Sequence, residues 1–178
     1  PQILSDNKIN QKGQRIFYTY TAIPQSTGAD SIPYITIMQV NKVLTKEPVF
    51  VEDNDAKDYG TDPIEISGQS ISKAHLNLRY TFLNGGNHLI PHSISLLIAK
   101  DAQPDARGYL SAELRHDAAD DLQLNANSGY VSFTLENMPG FKEGTLKGFK
   151  IKTKTIKNET DIVEVTMNNN RKSMNFNI

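Results

Sequence analysis

Apolar and polar side chains alternate at every second residue along most of this chain, and this period of two is what most constrains its fold. The clearest case is the stretch 74–83, whose predicted inward face consists of Ala74, Leu76, Leu78, Tyr80 and Phe82. No window of ten or more residues shows the period of an amphipathic helix, about 3.6 residues. The longest unbroken apolar run, at 96–99, has four residues, whereas a membrane-spanning helix needs about 20. We therefore predict an all-β fold.

The predicted strands fall into two groups, with a domain boundary at Ser67-Gly68-Gln69-Ser70. The first group covers 14–23, 34–44, 49–51 and 64–67, and the second covers 74–83, 88–100, 109–116, 129–135, 148–157, 161–167 and 174–178. Residues 1–68 carry a formal charge of −3 and the remaining residues carry +2. Short antiparallel strands with closely spaced turns predict a sandwich or a barrel. The turn Asn84-Gly85-Gly86-Asn87 predicts a hairpin inside the second group.

Four segments of the chain resemble successive strands of the NigD-like proteins. These segments are His75–Phe82, His92–Leu96, Glu113–Asp117 and Val131–Leu135, and Gly13-Gln14-Arg15 before the first long strand also fits. The NigD-like family consists of Bacteroidetes lipoproteins that join an N-terminal OB-like domain to a C-terminal β-sandwich. The resemblance therefore implies an OB-like β-barrel over 1–68 and an antiparallel β-sandwich over 69–178.

The resemblance also implies a location, although it implies no biochemical activity. The chain begins at Pro1 without an initiator Met, so we expect the lipid-bearing cysteine of the family upstream of it. A lipid anchor without a transmembrane segment implies an exported protein of the cell envelope, at the outer membrane or facing the periplasm. The family takes its name from a bacteriocin locus, which suggests a role in bacterial antagonism.

Several catalytic and cofactor-binding signatures are missing from the sequence. The chain has no cysteine, and therefore no disulfide, thiolate nucleophile or zinc-thiolate cluster. It also has neither a Gly-rich phosphate loop nor a G-x-S-x-G nucleophile motif. A glycoside hydrolase would need two carboxylates across a cleft, for which the candidates are Glu113, Glu136, Glu143 and Glu164. We predict no catalytic residue, no cofactor and no enzymatic activity.

Two acidic segments are candidate calcium sites. The stretch Glu52–Asp62 places Asp53, Asp55, Asp58 and Asp62 around Gly60. It lacks the spacing of an EF-hand: when Asp53 is counted as position 1, position 5, which should supply an oxygen ligand, is Lys57. The second segment contains Asp117, Asp120 and Asp121 and is typical of a polar loop after a strand. We predict solvated loops and no metal ion in both places.

The histidines allow a sharper prediction. His88 and His92 have the spacing of a helical metal pair, but Pro91 excludes a helix there, and on a strand they would lie roughly 13 Å apart. If Ile94 pairs with Leu114 across the loop 101–108, the register places His92 opposite His116 on the same face. We predict that these two imidazoles are neighbours that bind no metal and form hydrogen bonds with the backbone or with Tyr80, although a zinc site remains the alternative.

Three further features suggest ligands. Tyr18, Tyr20 and Tyr34 could stack on bases or sugars, but the charge of −3 on residues 1–68 opposes nucleic acid, and we expect these rings in the core. Lys150, Lys152 and Lys154 project from one face of one strand, where they keep the sheet soluble or bind an anionic partner. Finally, Asp30-Ser31-Ile32 resembles the O-glycosylation triplet of exported Bacteroidetes proteins.

We weigh three functions from different classes. The first is a non-enzymatic envelope lipoprotein that displays loops for an unknown protein or glycan ligand. The second is a bacteriocin-associated or toxin-neutralising protein that acts through a protein interface. The third is a glycan-processing enzyme, which would require two carboxylates in a cleft. The all-β pattern and the family resemblance favour the first.

Overall fold

A computed structural model describes residues 8–9, 15–23, 34–52, 59–72, 74–87 and 89–167. The predicted strand at 174–178, the triplet at 30–32 and most of the acidic stretch, 53–58, lie outside the described residues, as does His88. The strands are β1 (Ile16–Ala22), β2 (Ile35–Lys42), β3 (Leu44–Lys46), β4 (Val49–Val51), β5 (Ile64–Ser72), β6 (His75–Asn84), β7 (Ser93–Ala99), β8 (Tyr109–Asp117), β9 (Asn125–Thr134), β10 (Gly148–Lys154) and β11 (Thr160–Thr166). None of the described segments is a helix long and apolar enough to cross a membrane. The prediction of an all-β fold is confirmed.

The chain divides into two compact units, Pro1–Leu44 and Thr45–Ile178. In the first unit, β1 and β2 form a two-stranded antiparallel sheet with a bulge between Thr19 and Tyr20. Val40 is buried, whereas Tyr18, Tyr20 and Tyr34 are 42–63% exposed, so the prediction that these rings lie in a core is wrong. An OB-like barrel in this part of the chain stays a prediction.

The second unit is a β-sandwich of two sheets. The five-stranded sheet has the order β11-β10-β8-β7-β4, and the four-stranded sheet has the order β3-β9-β6-β5. The sandwich is as predicted, but two of its strand pairs, β8 with β10 and β4 with β7, are parallel. After β8 the chain crosses to the four-stranded sheet to form β9. It then returns to the five-stranded sheet as β10, which runs in the same direction as β8.

The turn at 84–87 does not close a hairpin. It connects β6 in the four-stranded sheet to β7 in the five-stranded sheet. The turn residues indicate a change of direction without specifying which sheet the chain joins next, which is why the predicted hairpin is wrong. In contrast, β7 and β8 pair antiparallel across the loop 100–108, as the sequence predicts.

The observed division of the chain lies earlier than the boundary predicted at residue 68. That boundary falls inside β5, which pairs with β6 along its length from Ile64 to Ser72. The register of this pair shifts between Ile66 and Gly68. The Ser-Gly pair therefore marks a β-bulge within a strand. Glycine is common at bulges as well as in linkers, because it tolerates backbone angles that other residues avoid.

The core of the second unit consists of the inward faces of the two sheets. Its largest fully buried apolar side chains are Phe133, Phe149, Ile64, Leu76, Leu78, Leu96, Ile98, Leu110, Leu114, Leu135 and Ile151. The burial of each stabilises the fold by roughly 1.5–3 kcal/mol relative to its exposure. The alternation is regular in β8, where Leu110, Ala112, Leu114 and His116 are buried between more accessible neighbours.

Gly60 brings the segment 59–63 onto the end of β8. Its φ is +74°, and a Cβ atom there would lie 2.4 Å from the carbonyl oxygen of His116 and 2.6 Å from Cα of Asp117. Both contacts are with backbone atoms of a paired strand, so no side-chain rotation relieves them. Two hydrogen bonds hold the segment in place: the Asp62 amide donates to the His116 carbonyl, and Nη1 of Arg115 donates to the Gly60 carbonyl.

We predict that Gly60→Ala destabilises the second unit by roughly 3 kcal/mol, because it combines an unfavourable φ with steric overlap. Gly144→Ala is the matched control, since Gly144 has a φ of +70° but no atom within 4 Å of the added methyl group. The control should lose only about 1–2 kcal/mol of unfolding free energy, which is the cost of the unfavourable φ alone. Urea unfolding of both variants measures the difference, and equal losses would contradict the close approach.

Candidate functional site: a histidine–aspartate clasp

A chain of hydrogen bonds joins three side chains at one end of the sandwich, and we call His92, His116 and Asp121 the clasp. Nδ1 of His92 lies 3.0 Å from Nε2 of His116, and Nε2 of His92 lies 3.1 Å from Oδ2 of Asp121. Nδ1 of His116 lies 3.0 Å from the carbonyl oxygen of Pro63. His116 is 1% exposed and Asp121 8%, so these polar groups depend on one another for hydrogen bonds.

Four parts of the chain meet in the clasp. His116 continues the inward face of β8, and His92 immediately precedes β7. Asp121 belongs to the loop after β8, and Pro63 precedes β5. The side chain of Phe82 on β6 covers both imidazoles, with ring centroids 5.2 Å from His92 and 5.4 Å from His116. The clasp therefore links both sheets and two loops.

The hydrogen-bond chain fixes the number of protons on the two imidazoles. The Pro63 carbonyl can only accept, so Nδ1 of His116 carries a proton, and the Asp121 carboxylate requires one on Nε2 of His92. The central contact between the rings requires a third proton on one of its two nitrogens. A hydrogen bond between the two rings therefore needs one of the imidazoles to donate from both of its nitrogens.

The surroundings of two clasp residues shift their pKa values. Burial lowers the pKa of His116, because it disfavours the charged imidazolium. The pKa of Asp121 is lowered first by the hydrogen bond from the Gly85 amide and also by the hydrogen bond with His92. Asp121 therefore remains the anionic end of the clasp.

Asp121 and Asp62 also hold the loops on either side of the clasp. Asp121 accepts hydrogen bonds from the amides of Gly85, at 2.8 Å, and Leu122, also at 2.8 Å. Asp62 accepts one from the Ala118 amide at 2.9 Å and one from Nε2 of Gln123 at 3.2 Å. We call residues 85–87, 89–92 and 118–124 the clasped loops.

The clasped loops present three large apolar side chains to solvent. Leu89 is 90% exposed, Leu122 64% and Leu124 69%. Leu122 lies beside the loop that begins at Gly85, since a Cβ atom added to Gly85 would be 3.0 Å from Cβ of Leu122. The Leu124 amide donates to the carbonyl of Asn84, which attaches the end of the second loop to the start of the first.

The prediction that His92 and His116 are neighbours holds, but the register that led to it is wrong. Ile94, not His92, pairs with His116, and Leu96 pairs with Leu114. The error is two residues, an even number, so His92 stays on the inward face and reaches His116 diagonally, with ring centroids 5.1 Å apart. The sequence predicts Tyr80 beside the two histidines. The ring that covers them belongs instead to Phe82, two residues further along β6.

The other predicted candidates do not meet in one place. Within the described part of the chain, no group of three or more histidine and carboxylate side chains has a geometry that could hold a metal ion. Glu113 forms ion pairs with Arg115 and Lys152, and Glu164 forms one with Arg107. Asp117 accepts a hydrogen bond from the Ala119 amide in its own loop.

The predicted lysine row lies on the outer face of the five-stranded sheet, on the interior strand β10. Lys150 forms an ion pair with Asp105 at 2.7 Å, and Lys152 lies 3.5 Å from Glu113. Lys154 donates to the carbonyl of Thr61. Sequence reasoning placed all three on one face but could not identify their partners, which come from distant segments.

Together, the fold and the clasp define a β-sandwich domain with a candidate binding surface of loops at one end. The family model of the NigD-like C-terminal beta sandwich domain matches residues 47–167. The chain therefore belongs to the NigD-like family. A search of the curated proteins returned no match.

Solved structures from Bacteroides and Parabacteroides species support the fold. A protein of unknown function from Bacteroides vulgatus is 20% identical, with a TM-score of 0.70, 88% of this chain covered and 72% of that one. A protein described as toxin related, from Parabacteroides distasonis, is 26% identical, with a TM-score of 0.64. The match covers 86% of this chain and 73% of that one. A NigD-like immunity protein from Bacteroides caccae is 16% identical, with a TM-score of 0.62 and coverage of 84% and 71%.

We predict that His116 takes up a second proton at lower pH in the folded protein than in the unfolded chain. Because its folded pKa is lowered, its contribution to stability is present above about pH 6.5 and is lost as the pH falls below that value. Nitrogen-15 NMR of the imidazole rings checks this result, with the urea-unfolded protein as the reference. A folded His116 that titrates at or above the unfolded value would contradict the assignment.

Proposed function

We propose that this protein is a non-enzymatic interaction module of the cell envelope, which binds a partner protein through the clasped loops. The observation that carries the proposal is the exposure of Leu89, Leu122 and Leu124 on two loops tied to a buried clasp. Isolated exposed leucines are common, but three on adjoining loops at one end of a sandwich favour an interface.

The clasp supports this function by holding the loops in one conformation before binding. A loop that becomes ordered only in a complex loses conformational entropy, roughly 0.5–1.5 kcal/mol per immobilised long side chain. Here the hydrogen bonds of Asp121 and Asp62 hold the loop backbone in the free protein. More of the free energy of apolar burial is then available for affinity.

Neutralisation of a toxin is the more specific form of this proposal. It is supported by the NigD-like immunity protein and by the protein described as toxin related among the similar structures. An immunity protein acts by stoichiometric binding rather than by turnover, which agrees with a clasp whose polar atoms are engaged in hydrogen bonds within the fold. A similar structure from Bacteroides fragilis, described as a lipoprotein, supports placement at the envelope as a lipoprotein.

The test places a photo-crosslinking amino acid at position 122 or at position 162 of the full-length protein in its native envelope. Ile162 is the matched control because it is 61% exposed, like Leu122, but lies on β11 away from the clasped loops. We expect position 122 to crosslink to one protein and position 162 to crosslink to none. Equal crosslinking from both positions would contradict the proposed surface.

A variant with Leu89→Ser, Leu122→Ser and Leu124→Ser should lose co-purification of that partner while Ile162→Ser retains it. Truncation of central interface side chains costs about 1–2 kcal/mol or more each, so the triple change should weaken binding by at least a hundredfold. Co-expression of the partner then separates the two forms of the proposal, because only a toxin would arrest cells that lack this protein. Retained binding by the triple variant, or hydrolysis of a glycan by the wild-type protein, would overturn the proposal.

A further inference from the structure

A polar cavity of about 270 Å³ lies beside the end of β8, on the outer face of the five-stranded sheet. Its lining residues come from the segment 59–63, from β8, from β10, from the turn that follows β10 and from the start of β11. The charged and polar residues that matter for the argument are Asp62, Glu113, Arg115, Lys152, Lys154 and Thr160. The cavity is separate from the clasp, because Arg115 points outward where its neighbour His116 points into the core.

The two carboxylates of this cavity and the Thr61 carbonyl already have partners within the fold. Both carboxylate oxygens of Asp62 accept hydrogen bonds from the loop 118–123. Oε1 of Glu113 lies 3.1 Å from Nε of Arg115 and 3.5 Å from Nζ of Lys152. The Thr61 carbonyl accepts a hydrogen bond from Lys154. Both carboxylates of the cavity are therefore already engaged, Asp62 with donors of the loop 118–123 and Glu113 with cations.

The donors, in contrast, exceed these acceptors. Arg115 has five N–H groups and each lysine has three, and the contacts above engage only part of them. Nε of Arg115 is buried, and although it lies near Glu113 it is not aligned for a hydrogen bond. Three cations face two carboxylates across the cavity, so a positive charge remains uncompensated there.

We propose that this cavity binds a small organic anion through a carboxylate or phosphate group, held by Arg115, Lys152 and Lys154. A planar guanidinium beside two ammonium groups suits either anion, because each presents oxygens that accept from several donors. The volume lies below the range of roughly 300–1,000 Å³ typical of drug-sized ligands, so the ligand is small. This site does not depend on the proposed protein interface.

Three sugars of similar size test the proposal: glucuronate, glucose 6-phosphate and neutral glucose. Amide chemical shifts of the full chain are followed during titration with each sugar. We expect saturable shifts at Arg115, Lys152 and Thr160 with one or both anions and none with glucose. Comparison of the affinities for the two anions shows whether the site prefers a carboxylate or a phosphate group. Shifts with glucose equal to those with the anions, or no saturable shift with either anion, would overturn the proposal.

The double variant Lys152→Gln with Lys154→Gln should weaken anion binding by about tenfold or more, since it removes two charge-assisted contacts. Lys150→Gln is the matched control, because Lys150 lies on the same face of β10 but outside the cavity, paired with Asp105. The control should change affinity by less than about twofold, because Lys150 makes no contact in the cavity and its charge is paired with Asp105. An equal effect of the control would show non-specific attraction and would overturn the site.

Arg115→Gln extends the test to the guanidinium, and thermal unfolding of each variant shows whether it folds. If Arg115→Gln fails to fold because its bond to the Gly60 carbonyl is lost, the lysine pair and its control still decide the result. Loss of anion binding in the folded double variant, with retention of the protein partner, would separate this cavity from the clasped loops.

Discussion

The regular alternation of β8 between the two faces of its sheet is the constraint on which both candidate sites depend. Toward the core, Leu110, Ala112 and Leu114 build the sandwich, and His116 extends the same face to the end of the strand. Toward the outside, Glu113 and Arg115 line the polar cavity. A shift of β8 by one residue would exchange these faces, so burial of the leucines fixes the clasp and the cavity together.

The clasp illustrates how a buried polar group can organise a surface. An imidazole in the core is unfavourable unless its nitrogens have partners, and an unsatisfied buried donor or acceptor costs about 1–3 kcal/mol. His116 obtains its partners from Pro63 before β5 and from His92 before β7, and His92 then requires Asp121. The need to satisfy one core residue thereby determines the positions of two loops, and these loops present the leucines of the proposed interface.

The sequence predicts much of this structure because its strongest signals are local. Alternation identifies strands of the sandwich such as His75–Asn84 and Tyr109–Asp117, and the even period keeps His92 and His116 on one face even where the expected register is wrong. The assignment of strands to sheets is not local, so the sequence predicts a hairpin at the turn 84–87, which in the structure connects the two sheets. The roles of Asp62, Pro63 and Phe82 depend on contacts across long stretches of chain, and no pattern within a window could reveal them.

The central claim is that the clasp holds both loops as one unit. Hydrogen–deuterium exchange in the wild-type protein and in His92→Ala tests it most directly, because the variant interrupts the clasp without removing the carboxylate of Asp121. The account predicts that the amides of Gly85, Leu122 and Leu124 lose protection together in the variant, while β6 and β9 keep theirs. Unchanged protection in these loops, or loss confined to one of them, would contradict it.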